Sequence, residues 1–465
     1  MKTIKTKRAI LVIAVIILFS ISSYSQEKIT TLTLTEKKEI IETIGQRLNR
    51  FYVFPEVAQQ MEKHIKAIHK TGAFDQITDP KEFADSVTRE LRSICNDKHL
   101  ALFFGYNPDL QPKEDQALKR ILDRIDRESQ NYGLNKVDIL PGNIGYINLQ
   151  SVMYYEPIKE IVSAALKLLS NTDAILFDLR ENRGGDPQYM SYLFSYFFDK
   201  PTQLSSLYFR DRDRTFEYRT QDNIPGTIMP VVPLFVLTSS RTFSAAESFA
   251  YDLQSLHRAT IIGEVTAGGA NPANSFVIYK DLRISIPLGR AINPVTGTNW
   301  EGVGVKPDFI TSADSTLIVA TSKAKEAAAK FHELKKNRIV KIYHDCLSEI
   351  DKADILFNQG KLKECENLIN STLNQGLINN VLIQSQINQM GYDYIGQKKF
   401  GMAVSILKFN AVKFPESANA FDSLAEAYMM AGDNQHAIEN YEKTLQLNPQ
   451  NSNAIENLKI LKGLK

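Results

Sequence analysis

At 465 residues the chain is long enough for two or three domains, each able to bury its own core. Apolar content of 43% with 23% charged residues excludes wholesale disorder, and a net charge of +2 without a dense basic stripe excludes an electrostatic case for nucleic acid. Seven scattered histidines, none in HExxH spacing, and three irregularly spaced cysteines (Cys95, Cys346, Cys365) supply neither a zinc motif nor a disulfide framework, so no metal or organic cofactor is expected.

Residues 1–25 read as a leader. Four positive charges in MKTIKTKR precede a thirteen-residue apolar run, AILVIAVIILFSI, and small Ser23 and Ser25 stand before Gln26 as at a cleavage site. The run is short for a membrane span. Removal as a signal peptide is therefore expected over retention as an anchor, which places the mature chain in the periplasm or outside the cell with no membrane span. Residues 26–135 form an N-terminal helical subdomain. Ile40, Ile41, Ile44 and Leu48 share one stripe, with Thr35 as the cap, and DPKEFADSVTRELRSI opens on Asp79 and Pro80. The helices end at CNDKHLALFF.

Residues 136–312 alternate strands and helices. IGYINLQ is a strand, EPIKEIVSAALKLLS a helix, DAILFDLR a buried strand ending at ENRGGD, and PQYMSYLFSYFF a helix. VPLFVLTSS and ATIIGE are strands flanking a helix that starts at Ser244; a glycine loop, TAGGANP, and a hairpin, SFVIYKDLRISIPLG, follow. This order predicts a βαβ layered core with largely parallel pairing, whose ligands sit beyond the carboxyl ends of the strands. RENRGGD and TSSRTFSAAE both fall there. Residues 313–345, rich in Ala and Lys, read as a connecting helix. Residues 346–465 are helical throughout. Tyr394 and Tyr428, Ala403 and Ala437, and Pro415 and Pro449 are each 34 residues apart. That period resembles the tetratricopeptide repeat. Two units match well and a third, around ILFNQGKLKECENLI, is degraded. The repeats imply a protein partner.

LTSSRTFSAAESFAYDL holds the sharpest chemical candidate. Ser244 stands where an apolar strand turns into a helix, the placement a nucleophile requires, and the Ala245 N–H at the helix start would face developing negative charge. The same SAAE stretch is also a capping box, with Ser244 as cap and Glu247 at N3. Ser239 and Ser240 read as turn formers. GxSxG is absent, which argues against an α/β-hydrolase esterase.

AILFDLRENRGGD, then LTSSRTFSAAESFAYDLQ, GEVTAGG and NWEGVGVKPD, resemble in combination and order the tail-specific, or C-terminal processing, serine peptidase family. The closer likeness is to its tricorn-like and retinoid-binding-protein-like branch, with CNDKHLALFF as the histidine motif and NIGYINLQSV as the first core strand. The resemblance spans roughly residues 35–310. It implies an α/β fold with a crotonase-like βαβ peptidase core, and a peptidase acting on a polypeptide through an acyl-enzyme. It makes Ser244 the nucleophile, His99 the general base and Glu301 the acid that holds the imidazole; Ala245 with Gly184 or Gly185 would form the oxyanion hole.

One departure stands out. The better-known branch uses a Ser–Lys dyad with the lysine about 25 residues after the serine; here that position is Gly269, and no lysine occurs between Ser244 and Lys280. Either His99 and Glu301 carry the chemistry or the site is inactive. A PDZ-like insert is also not apparent in the residues between CNDKH and NIGY. The alternative is a non-catalytic binding protein for apolar ligands or peptides on the same fold, with the repeats recruiting a partner. A weaker alternative is an adaptor whose repeat surface is the functional part.

Overall fold

The computed structural model describes residues 31–105, 112–153 and 155–463. The leader and its cleavage site lie outside the described residues. The chain divides into two compact units, Met1–Glu326 and Ala327–Lys465.

The first unit opens with three helices, α1 (Leu34–Phe51), α2 (Pro55–Lys70) and α3 (Pro80–Cys95). The cap of α1 is Thr33 rather than the expected Thr35: Thr33 and Glu36 satisfy each other's backbone N–H groups in a capping box. Thr35 has Lys38 three residues on, which cannot reciprocate. Asp79 caps α3, with Pro80 in its first turn. Asn96, at φ 48°, ends α3 in the left-handed conformation and turns the chain into β1 (Ala101–Phe104). A further helix, α4 (Lys113–Ser129), leads to the core strands.

Among the described residues a six-stranded sheet runs in the order β12-β8-β7-β4-β3-β2, formed by β2 (Leu134–Leu140), β3 (Ile144–Leu149), β4 (Ala174–Asp178), β7 (Leu234–Thr238), β8 (Ala259–Gly263) and β12 (Phe309–Ile310). Only β2 pairs antiparallel; the other pairings are parallel, as the βαβ pattern predicts. Every residue of β4 and β7 is buried, the mark of strands covered on both faces. The crossovers carry α5 (Tyr155–Leu169), α6 (Pro187–Phe194) and α7 (Ala245–Ser255). Phe249 of α7 packs against Phe177 of β4 and Phe194 of α6, with ring centroids 5.1 and 4.9 Å away, which seats the start of α7 over the sheet.

Because β4, β7 and β8 are parallel, the loops leaving them, 179–186, 239–244 and 264–272, emerge on one edge. Two antiparallel sheets complete the unit. One runs β11-β5-β6, from β5 (Ser206–Phe209), β6 (Arg214–Phe216) and β11 (Gly289–Ile292). The other joins β1 to the predicted hairpin β9 (Ala273–Tyr279) and β10 (Leu282–Pro287) in the order β1-β10-β9. Leu100 and Leu102 bury with Leu282, Ile284 and Ile286 against Ile40, Ile44, Met61 and Phe83 of the helices. A late hairpin thereby clamps the segment that follows His99.

The helix predicted over 313–345 continues without a break as α8 (Ala313–Asn358), carrying the boundary between the units. In the second unit α9 (Leu362–Ile378), α10 (Gln384–Gly396), α11 (Phe400–Lys413), α12 (Ala418–Met430), α13 (Asn434–Leu447) and α14 (Ser452–Leu461) follow. Ala403 and Ala437, one period apart, are both fully buried, since only a small residue lets paired repeat helices approach closely. No described helix is long and apolar enough to cross a membrane.

Candidate active site

Ser244 sits at the N-cap of α7 with φ 56° and ψ −122°, a conformation that costs a non-glycine residue roughly 1–3 kcal/mol and persists only when its surroundings enforce it. They do so here from two sides. The Phe243 N–H donates to the Asn182 carbonyl at 3.0 Å, and the Ser244 N–H to Glu247 Oε2 at 2.8 Å. The second bond is one half of the capping box read from the sequence. The hydroxyl itself makes no cap hydrogen bond; its side-chain partner is His99, whose Nε2 lies 3.2 Å from Ser244 Oγ.

His99 reaches Ser244 because its loop is tied at several points. Arg92 of α3 donates to the carbonyls of Leu100 and Lys98, both at 2.7 Å. Asp97 accepts the His99 N–H at 3.0 Å and, with its other oxygen, the Asn271 side chain at 2.8 Å. Burial, reinforced by the Arg92 charge, holds the His99 pKa down at about 4, so the ring is neutral near pH 7 and able to take a proton.

Glu301 lies beside this loop but not in the expected bond. Its Oε2 accepts the N–H groups of Ala270 and Asn271 at 2.6 and 2.9 Å, and its Oε1 the Lys98 N–H at 3.4 Å. His99 Nδ1 is buried and has no hydrogen-bond partner. The carboxylate is drawn to three backbone donors that converge from two loops, which is why it staples the histidine loop to the glycine loop rather than gripping the ring. Burial, then the neighbouring Asp97 charge, push the Glu301 pKa up to about 7 against those donors. Asp97, which is raised by burial, was not singled out from the sequence, although it stands in the CNDKH motif two residues before His99. One donor atom each from Asp97, His99 and Glu301 lie within 4.8 Å of one another, a trio that could also hold a cation.

The predicted oxyanion donors separate. Gly184 does not have a free amide, because its N–H donates to Asn182 Oδ1 at 2.8 Å. The N–H groups of Gly185 and Ala245 have no partner among the described residues. Gly184, at φ 92°, instead provides closeness: a Cβ there would lie 2.7 Å from Ser244 Cβ. Arg180 grips Asp178 at 2.9 and 2.7 Å and the Ala313 carbonyl at 3.0 Å, below the turn rather than in the site.

Glu247 carries more than a cap. Fully buried, it accepts the Gly268 N–H at 2.6 Å and the Gly269 N–H at 2.8 Å as well as the Thr266 hydroxyl, so one carboxylate binds the Ser244 turn to the glycine loop. Burial raises its pKa, and these donors pull it back. The available signal was Glu247 at N3 of the SAAE capping box, followed by the helix stretch SFAYDL. A cavity of about 250 Å³ opens beside Ser244 and His99, walled by Gly185, Ala245, Met190, Phe194 and Trp300 among others. A neutral imidazole on a strained serine hydroxyl, two free amides and an adjoining cavity can support nucleophilic acyl transfer.

Three family models match parts of the chain. Residues 143–311 match the family described as Peptidase family S41, residues 26–133 the N-terminal domain of peptidase S41 in eukaryotic IRBP, and residues 418–451 a tetratricopeptide repeat. The chain is similar to the chloroplastic carboxyl-terminal-processing peptidase 1 of Arabidopsis thaliana, 28% identical over 182 residues, which are 38% of this chain and 36% of the relative. It is also similar to a carboxy-terminal-processing protease of Bartonella bacilliformis, 27% identical over 175 residues, 36% of this chain and 39% of the relative. The match thus spans well under half the length of either relative. Among solved structures, the photosystem II D1 C-terminal processing protease aligns at 16% identity and a TM-score of 0.38, covering 60% of this chain and 93% of that one.

Proposed function

We propose that the chain, whose residues 143–311 match peptidase family S41, 26–133 the IRBP-type N-terminal domain and 418–451 a tetratricopeptide repeat, is a serine peptidase that hydrolyses polypeptides through an acyl-enzyme. The observation that carries this reading is the 3.2 Å approach of His99 Nε2 to the hydroxyl of a backbone-strained Ser244. Residues 136–312 supply the nucleophile and residues 26–135 the base.

Ser244 Oγ attacks the scissile carbonyl while His99 Nε2 takes its proton. The N–H groups of Gly185 and Ala245 receive the oxyanion. Collapse of the tetrahedral intermediate breaks the C–N bond, and the His99 proton leaves with the amine. Water, deprotonated by His99, then attacks the ester and frees the acid and the serine. Glu301 acts by holding the His99 loop and, when ionised, by stabilising the imidazolium. Residues 1–25 direct the chain out of the cytoplasm as a cleaved signal, and residues 346–465, beyond the 313–345 connection, recruit a protein partner. A non-catalytic carrier would have its imidazole turned away from Ser244, which the hydrogen-bond distance does not favour.

A fluorophosphonate probe tests the proposal. Modification is expected at Ser244 and is expected to vanish in Ser244→Ala and His99→Ala. Folded wild-type protein that stays unmodified would overturn it.

A further inference from the structure

The cavity beside Ser244 is lined by a buried carboxyl group that has no counter-ion. Asp252, on the same helix, is 1% exposed and lines it. Its Oδ1 accepts Ser205 Oγ at 2.5 Å and Asn293 Nδ2 at 2.8 Å; its Oδ2 accepts the Ser205 N–H at 3.2 Å and Ser248 Oγ at 3.4 Å. Every partner is neutral. Among the described residues Asp252 forms no salt bridge, and no lysine or arginine lines the cavity. Burial raises its pKa against these donors, the direction expected of a carboxyl without a counter-ion.

Ser205 and Ser248 line the cavity too. Each directs its hydroxyl proton to the carboxylate, which leaves oxygen lone pairs for an incoming donor, although Ser205 Oγ also accepts a long 3.4 Å bond from Asn293. Those oxygens are polarised by the acid behind them, and in a low-dielectric setting that polarisation is strong. Met190, Phe194, Leu204 and Leu207 make the remaining wall apolar. A volume of about 250 Å³ accommodates one long side chain. An aliphatic stem with a cationic tip satisfies both surfaces, whereas a wholly apolar side chain brings the carboxyl group no counter-charge.

We propose that this cavity is the primary specificity pocket and selects a lysine or arginine on the acyl side of the scissile bond, with Asp252 acting through Ser205 and Ser248 as the specificity determinant. This rests on Ser244 being the nucleophile.

Two peptidyl phosphonate diphenyl esters that differ only at the acyl-side residue, lysine in one and norleucine in the other, test it on the full chain. Ser244 should react at least about tenfold faster with the lysine reagent, and Asp252→Asn should shrink the difference. That substitution disturbs four buried hydrogen bonds and endangers the fold, so the wild-type pair decides. Equal or faster reaction with norleucine overturns the proposal. So does failure of both reagents while a small fluorophosphonate still labels Ser244. Failure of the small probe as well overturns the peptidase assignment beneath it.

Discussion

Gly269 faces the edge of Phe243 so closely that a methyl group on it would lie 2.1 Å from Phe243 Cε2 and 2.9 Å from His99 Cε1. The rings of Phe243 and His99 pack with centroids 4.4 Å apart in the space this glycine leaves. The position that the dyad branch gives to lysine is therefore closed here to any side chain, and the imidazole proposed as base comes from β1's side of the fold instead.

Gly269→Ala should displace the His99 ring and slow Ser244 labelling by about 100-fold, the usual penalty for misplacing a catalytic group by about an ångström. Phe243→Leu in the same background should restore part of the rate by making room. A Gly269→Ala protein with wild-type labelling would contradict the steric argument.

The pH dependence should report Glu301. With its pKa near 7, raised by burial and by Asp97, Glu301 is neutral below that pH and ionised above it, while His99, held near 4, stays neutral across the range. Labelling should rise as pH passes 7, because the ionised carboxylate supports the developing imidazolium. Glu301→Gln should lower the rate above pH 7 and remove that inflection, leaving an acid limb near 4. Asp97→Asn should move the inflection down by removing the neighbouring charge. These apparent values belong to the coupled group rather than to single residues. A limb near 7 that survives Glu301→Gln would rule this out.

Glu247→Gln should destabilise the first unit by roughly 3 kcal/mol, since the amide turns a donor toward donors in a fully buried site. Thermal unfolding should show a midpoint several degrees lower, and labelling of Ser244 should fall with it as the turn loosens. Unchanged stability would mean that the four bonds to this carboxylate are weak.

In the repeat unit, Tyr441 is fully buried and its hydroxyl accepts Asn457 Nδ2 at 3.0 Å. Tyr441→Phe should cost about 1 kcal/mol and Tyr441→Ala about 3–5 kcal/mol, measured by urea unfolding. Similar costs for both substitutions would show that the ring itself contributes little.

The sequence by itself determined whatever repeats or stays local: the apolar strands β4 and β7, the hairpin β9–β10, the 34-residue period, and Ser244 at a strand-to-helix junction. Each is a pattern of neighbouring residues, visible without partners. Even the cap of α1 was legible, since Thr33 has its glutamate three residues on and Thr35 does not. Tertiary structure alone decided that His99 meets a serine 145 residues away, because that meeting depends on β1 pairing with β10. It also decided that Glu301 bonds three backbone amides instead of the imidazole, that Gly184 spends its N–H on Asn182, and that Asp97 and Glu247 hold the loops together. A hydrogen bond is specified by positions to within a few tenths of an ångström, and those positions follow from how distant segments pack rather than from the order of residues along the chain.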